Sequence, residues 1–411
     1  MSRFNVSTNY PLIPNSNEYM YERQYISIHS EDRNIVNYPS SSEFEIELPQ
    51  DYCNVQAIRL DSWTFPANCY TFSEKQNNTF IIFEIITPYN PTDYSINIPV
   101  ETAISDALYQ SVGTQFTVVI ENGFYNPFQM ATELTRKFND AIFQYVKNYI
   151  SQNDPGLLEE FISVGYNQFV VVYNEVSQKL WFGNKSSDFI IINDSETYYV
   201  SQDSNTTCLK QGYSVFSNWG LPAYLGFTRC NATTSMSIGK EYPRFFYGDV
   251  IPGDDGYWLV PDSNYLGTAT SIPVYYLEAP VKVNLMGNSY FYLELYGMNC
   301  IDETMPFSVN KVTSTSNITN GIVKSSFAKI AVTTTPYAQW FDNNNNAAGP
   351  LKLYNPPAER IRKLKLKLRY HDNTLVDFGN SNYSIMLEFL LYRPQSKREI
   401  SMFVPESIKN G

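Results

Sequence analysis

Two segments near opposite ends of the chain alternate apolar and charged residues with a period of two. Phe44, Ile46 and Leu48 interleave with Glu43, Glu45 and Glu47; far downstream, Leu364, Leu366, Leu368 and Tyr370 interleave with Lys363, Lys365, Lys367 and Arg369. Successive side chains of a strand point to opposite faces, so each segment reads as a half-buried strand with one wet side. Related runs predict strands at 23–29, 43–48, 55–65, 79–86, 115–121, 168–174, 178–183 and 188–192. Others follow at 281–286, 289–298, 326–334, 351–354, 360–371 and 383–393. Pro49 and Pro66 should stop the second and third of these, because proline cannot donate to a sheet ladder. Phe169–Tyr173 and Lys179–Phe182, joined through Asn174-Glu175, read as a hairpin.

One stretch follows a different period. Asn126 before Pro127 is a helix cap followed by proline at the first helical position. Ala131, Leu134, Phe138, Ala141, Ile142, Tyr145 and Tyr149 then form an apolar stripe at helical spacing. This predicts an amphipathic helix over 127–150 packed on the sheet, with a shorter helical piece at 155–163. Residues 1–20 read as a polar arm. Long loops are expected at 87–114 and 193–280, the latter a surface-projecting insertion. Asn343–Asn346 reads as a loop tip.

These elements predict an all-β chain: a jelly-roll-type antiparallel β-sandwich with one inserted helix and long loop insertions. Only about six strands follow residue 280, whereas a jelly roll uses about eight. The expected division is an arm at 1–20, a sandwich over 21–280, strands at 281–398 that complete it or form a second one, and a tail at 399–411. Interleaving of the two ends, with 122–280 inserted, is favoured. Two jelly rolls in tandem are the alternative.

Composition narrows the function. Aromatic residues make up 16% of the 411, and charged residues only 17%. Tyr and Phe favour strands and bury large areas at interfaces with few rotors to freeze. A net charge of −12 argues against nucleic acid as the main partner. The five cysteines, at 53, 69, 208, 230 and 300, form no CxxC pair and point to reduced thiols. No signal peptide is expected, and no apolar run reaches the roughly 18 residues of a membrane helix. The sequons (Asn5, Asn77, Asn184, Asn193, Asn205, Asn231, Asn317 and Asn382) are those an Asn- and Ser-rich chain acquires by chance.

Candidate chemistry is sparse. His29 neighbours Glu31 and Asp32, and His371 neighbours Asp372, but both lie beside strand ends where such pairs satisfy turns. Gly253-Asp254-Asp255-Gly256 lacks the ligand spacing of a calcium loop and reads as a solvated turn. No catalytic residue, metal site or cofactor is expected. The one basic concentration is the stripe Lys363, Lys365, Lys367 and Arg369. It is a candidate interaction surface for an acidic partner, or the guarded side of an edge strand.

The segment Ser27–Asn34, the Tyr38-Pro39 turn, and the strands Phe44–Pro49 and Val55–Pro66 recur in this order in another group of proteins. So do Asn78–Glu84, Gly123–Leu134, Tyr224-Leu225-Gly226-Phe227, Phe327–Ile330 and the ending Leu366 through Asp377–Asn380 to Phe389. Together they resemble minor capsid proteins of nucleocytoplasmic large DNA viruses. The resemblance implies a jelly-roll-like, non-enzymatic virion protein that bridges or cements major capsomers and assembles in the host cytoplasm. Its implied partners are the major capsid protein and other minor capsid proteins, with self-association a further possibility. Membrane contact is left open. A receptor- or carbohydrate-binding spike or penton protein is the alternative, with Trp181, Trp219, Trp258 and Trp340 as stacking platforms.

Overall fold

The computed structural model describes residues 21–67, 70–88, 90, 98–195, 197–200, 218–238, 242–246, 257–261, 272–304, 324–334, 340–342 and 349–392. The arm, the tail, Gly253–Gly256 and Asn343–Asn346 lie outside these residues. Strands run in chain order β1 (Tyr21–His29), β2 (Glu43–Pro66), β3 (Phe80–Thr87), β4 (Phe116–Val119), β5 (Phe169–Asn174), β6 (Lys179–Asn184) and β7 (Asp188–Ile192). Then come β8 (Ala232–Thr233), β9 (Ser235–Ile238), β10 (Arg244–Phe246), β11 (Tyr257–Trp258), β12 (Pro273–Glu278) and β13 (Tyr290–Leu295). The last are β14 (Ile301–Glu303), β15 (Lys324–Ser326), β16 (Ala328–Ala331), β17 (Trp340–Asp342), β18 (Leu351–Arg369) and β19 (Ser384–Tyr392). The main helices are α1 (Pro99–Gln110), α2 (Pro127–Asn153) and α3 (Leu158–Val164). Every strand pairing among the described residues is antiparallel, as the expected all-β class requires.

The chain divides into two compact units. The first comprises 1–69, 290–304 and 323–411; the second comprises 70–289 and 305–322. In the first unit, strands from the N-terminal and C-terminal parts of the described chain build one sheet, ordered β1-β19-β2-β18-β13-β16, with β17 also paired to β2. β2 and β18 are each longer than the sequence implies, because they run through their prolines. The register slips around Pro49, between Lys363↔Glu47 and Ile361↔Tyr52. It slips the other way around Pro356-Pro357, between Leu353↔Ala57 and Ala358↔Val55. Each slip leaves unpaired residues where a missing N–H costs no ladder bond. The inner face buries Phe44, Ile58, Leu60, Phe65, Leu364, Leu366, Leu387 and Phe389. Phe65 sits at the centre of this core, 4.9 Å from Tyr383 and 5.0 Å from Phe291 between ring centroids.

The second unit has two four-stranded sheets, β4-β3-β7-β8 and β5-β6-β12-β9, the layer plan of a jelly-roll-type sandwich. Both sheets and α2 contribute to one core. Phe138 of α2 stands among Phe83, Phe169 and Phe182, with centroids 4.6, 5.2 and 6.0 Å away. The helix begins where expected: Asn126 accepts from the Gln129 backbone N–H while Gln129 reaches back to the Asn126 N–H, a reciprocal capping box. Its fully buried stripe is Met130, Ala131, Leu134, Phe138, Ile142, Val146 and Ile150; the expected Ala141, Tyr145 and Tyr149 flank it, partly buried against the same core. α2 also seals a sheet edge. The Asn139 amide donates to the Phe169 carbonyl (2.8 Å) and accepts from the Phe169 N–H (2.9 Å), and Thr135 Oγ1 accepts from the Val171 N–H (2.9 Å). The helix thus supplies β5 with the partners that a further strand would provide.

Four expectations need correction. The presumed loop 87–114 contains α1, whose Val100, Ala103, Ile104, Ala107 and Leu108 are buried at helical spacing behind Pro99. The presumed projecting insertion 193–280 contains β12, an interior strand of its sheet whose Val274 and Leu277 are buried. Residues 281–286 are not a strand: Val281, Val283 and Asn284 donate separately to Gly226, Gln178 and Tyr224 carbonyls, which is a crossing and not a ladder. The segments 43–48 and 55–65 form one strand, and likewise 351–354 and 360–371 one strand ending at Arg369, because the proline bulges interrupt pairing without ending it.

Phe138→Ala should cost about 3–5 kcal/mol, since three aromatic neighbours cannot collapse into the void together. Denaturant unfolding followed by tryptophan fluorescence measures this; a near-neutral result would mean that α2 does not hold the second unit's core.

Candidate interaction surfaces

On the outer face of the first unit's sheet, the two alternating segments of the sequence lie side by side. The register sets Lys363 opposite Glu47, Lys365 opposite Glu45 and Lys367 opposite Glu43. Lys363 Nζ lies 3.3 Å from carboxylate oxygens of both Glu45 and Glu47, and Lys365 Nζ lies 3.4 Å from Glu43. The hydrogen bonds that the Lys363 ammonium donates to the Glu47 and Glu45 carboxylates raise its pKa above its ordinary value. The stripe is therefore one rail of a cross-strand charge ladder. β18 lies between β2 and β13, so it is not the edge strand that one reading of the stripe required. Glu43, Glu45 and Glu47 are acidic partners within the chain itself.

Arg369 departs from the stripe. Its side chain is 1% exposed and forms ion pairs with Glu294 of β13 and Glu303 of β14. The Glu303 carboxylate also meets His371 Nδ1 at 3.1 Å, and Lys324 of β15 donates to the His371 carbonyl at 3.5 Å. The alternation of β18 places Arg369 on the side away from Leu368, but Glu303 and Glu294 cover it there. Burial alone would raise the Glu303 pKa; the hydrogen bonds from Arg369 and His371 outweigh it and hold the carboxyl below its usual range. Burial lowers the Lys324 pKa, and the nearby Arg369 charge adds to that. The cluster is a clamp joining β13, β14, β15 and β18. The sequence signal for it was poor: Glu303 is 66 residues from Arg369, and His371 meets Glu303, 68 residues away.

The short motifs quoted from the sequence sit at joints of the fold. The Arg33 guanidinium donates to the carbonyls of Ser30 (2.7 Å), Tyr38 (3.1 Å) and Pro39 (3.3 Å), and to Asn382 Oδ1 (3.1 Å). Ser30 Oγ accepts from the Tyr383 N–H at 2.9 Å and donates to Asn382 at 3.1 Å. The Ser30–Arg33 turn, the Tyr38-Pro39 turn and the start of β19 are thereby one latch. Gly226 has φ +93°, and a Cβ there would lie 2.1 Å from the Val281 carbonyl oxygen; only glycine allows this crossing.

The remaining candidates are dispersed. Trp219 is buried against Tyr198 with Arg229 over its ring, and Trp181 packs on the Leu259–Val274 cluster, so neither is a free stacking platform. Trp258 and Trp340 are about half exposed. His29 meets Ser27 Oγ at 3.0 Å. Cys53, Cys230 and Cys300 are free and exposed; Cys69 and Cys208 lie outside the described residues. Among the described residues, no group of three His, Cys, Asp or Glu side chains could hold a metal, and no helix is long and apolar enough to cross a membrane.

No family model and no curated protein matches the chain. Among solved structures, it is similar to the mavirus penton protein, with a TM-score of 0.38 and 8% identity over 91% of this chain and 99% of that one. It is also similar to a chain in the cryo-EM structure of the Sputnik virophage, with a TM-score of 0.35 and 13% identity over 90% of this chain and 98% of that one. At these scores, the strand pairings described above define the fold.

Arg369→Met should destabilise the protein by about 3–5 kcal/mol, because it strands two carboxylates. The Glu303 pKa is lower folded than unfolded, so the stability it brings is complete above its unfolded value of about 4.3 and is lost as pH falls through the folded value. Glu303→Gln should therefore be less stable than wild type at pH 7 and converge toward it near pH 3, as measured by denaturant unfolding across that range.

Proposed function

We propose that this protein is a structural, non-catalytic component of a virion: a minor capsid protein of a large icosahedral double-stranded DNA virus that bridges or cements major capsomers. The observation that carries the reading is the latch around Arg33. The Ser-x-Asp-Arg turn and the Tyr-Pro turn, whose order resembles that of such proteins, are held to the loop entering the C-terminal strand by one guanidinium. The other quoted segments likewise act as architectural joints: a helix cap, a glycine crossing and paired strands. A charge-poor, aromatic-rich chain of this kind acts through surface complementarity, and a shell component needs several contacts that together exceed about 2,000 Å². Its partners in this reading are the major capsid protein and other minor capsid proteins, with assembly in the host cytoplasm.

The protein should co-sediment with purified virions through a density gradient and be identified there by mass spectrometry. Its absence from particles would refute the reading. The paired double variant Lys363→Gln, Lys365→Gln should keep the wild-type unfolding midpoint, because exposed ion pairs contribute little. If the ladder also contacts a neighbour in the shell, the variant's incorporation into particles should fall several-fold; unchanged incorporation would make the ladder purely intramolecular.

A further inference from the structure

Two cavities of about 520 Å³ each lie along the solvent side of α2 in the second unit. One sits between the start of the helix and the segment leading into it, and is lined by Glu121, Phe128, Gln129 and Glu133. The other sits between the middle of the helix and the approach to β5, and is lined by Arg136, Asp140, Phe143 and Asn167. Thr132 lines both, so they run into one groove. At about 1.5 Å rise per residue, the groove follows the helix from Phe128 to Phe143 for about 22 Å. Polar groups that the fold leaves unspent line it. The Arg136 guanidinium donates from Nε and Nη2 to the Glu133 carboxylate (2.8 to 3.1 Å), and its Nη1 has no partner among the described residues. Gln129 gives its Oε1 to the helix cap and keeps its amide N–H groups. Asp140 accepts one bond, from Gln144 at 3.3 Å, and the Asn167 side chain makes none among the described residues. One apolar surface stands with them. Phe128 is 53% exposed and meets Tyr173 in a T-shaped contact at 5.4 Å, so at most one face of its ring is covered there.

We infer that this groove binds a short, neutral oligosaccharide. Charge and polarity set the class of ligand. Glu121, Glu133 and Asp140 stand against the single guanidinium of Arg136, so phosphate groups and sialylated or sulfated sugars are repelled. A cation meets Glu121 and Glu133 already paired with Arg136, and Glu133 also lies 3.9 Å from Lys137. An apolar ligand would strand the guanidinium and the amides without partners. A neutral sugar chain fits all three conditions. Its hydroxyls both donate and accept, so they satisfy Arg136 Nη1, the Gln129 and Asn167 amides and the Asp140 carboxylate together. The C–H face of one sugar ring packs on the open face of Phe128. The groove is open to solvent along its length, so each chain should be held weakly. The inference is independent of the virion reading, because it rests on α2 and its two flanking segments alone.

The test is a printed glycan array probed with the fluorescently labelled full chain, whose multivalent display offsets weak single contacts. Retention should be confined to neutral glycans. It should fall about tenfold in Phe128→Ala, which removes the stacking face, and several-fold in Asn167→Ala, which removes a side chain that the fold does not use. Circular dichroism and an unchanged unfolding midpoint would establish that both variants are folded. Three results would overturn the inference: no neutral glycan retained above background; retention only of sialylated or sulfated glycans, which would mean a basic site elsewhere; or wild-type retention by both folded variants, which would put the sugar away from α2. Virion sedimentation does not enter this readout, so the two proposals fail separately.

Discussion

The first unit depends on the pairing of one N-terminal strand with two C-terminal ones. β2 lies between β19 and β18 in the sheet, and both neighbours come from the last 61 residues of the sequence. Its inner side chains supply the centre of the core, and its outer carboxylates supply one rail of the charge ladder. Remove this pairing and Arg33 has no β19 to latch; β18, which holds Arg369 at the clamp, loses its longest neighbour. The ion pairs and turns decorate a ladder that must already exist.

The prolines show how such a long ladder avoids its own constraint. Besides Pro66, which closes β2, three prolines fall in the interiors of β2 and β18, where each would ordinarily end a strand. Pro49 sits in a bulge of β2 and Pro356-Pro357 in a bulge of β18, with slips in opposite directions. The second slip offsets the first, so alternation is recovered at both ends. This is why Glu43–Glu47 and Leu351–Leu353, far apart along the strands, share the outer face of one sheet.

What could be read from the sequence follows from how local each signal is. The helix at 127–150 was legible because its cap, its proline and its stripe all lie within one segment. α1 was missed because its signal, Pro99 followed by five small or aliphatic residues, is short and sits among turn-forming neighbours. The alternation of Lys363–Arg369 correctly separated an inner from an outer face, but its partners were invisible: Lys363 and Glu45 are 318 positions apart. Arg369 carried the same pattern as its lysine neighbours, yet is buried, because the covering carboxylates come from β13 and β14. Period reveals which way a side chain points; only pairing reveals what waits there.

The separation of β2 from its partners also has a consequence for biosynthesis. β2 emerges from the ribosome long before its partners β18 and β19, which lie about 300 positions later. At about 5–20 residues per second, it must wait roughly 15–60 s before either neighbour exists. During that interval the intervening 70–289 segment can condense, while an apolar strand with two unsatisfied edges stays available to any other chain. Polysomes carrying several such nascent chains would bring those edges together, so β2 is most open to mispairing before its C-terminal neighbours are made.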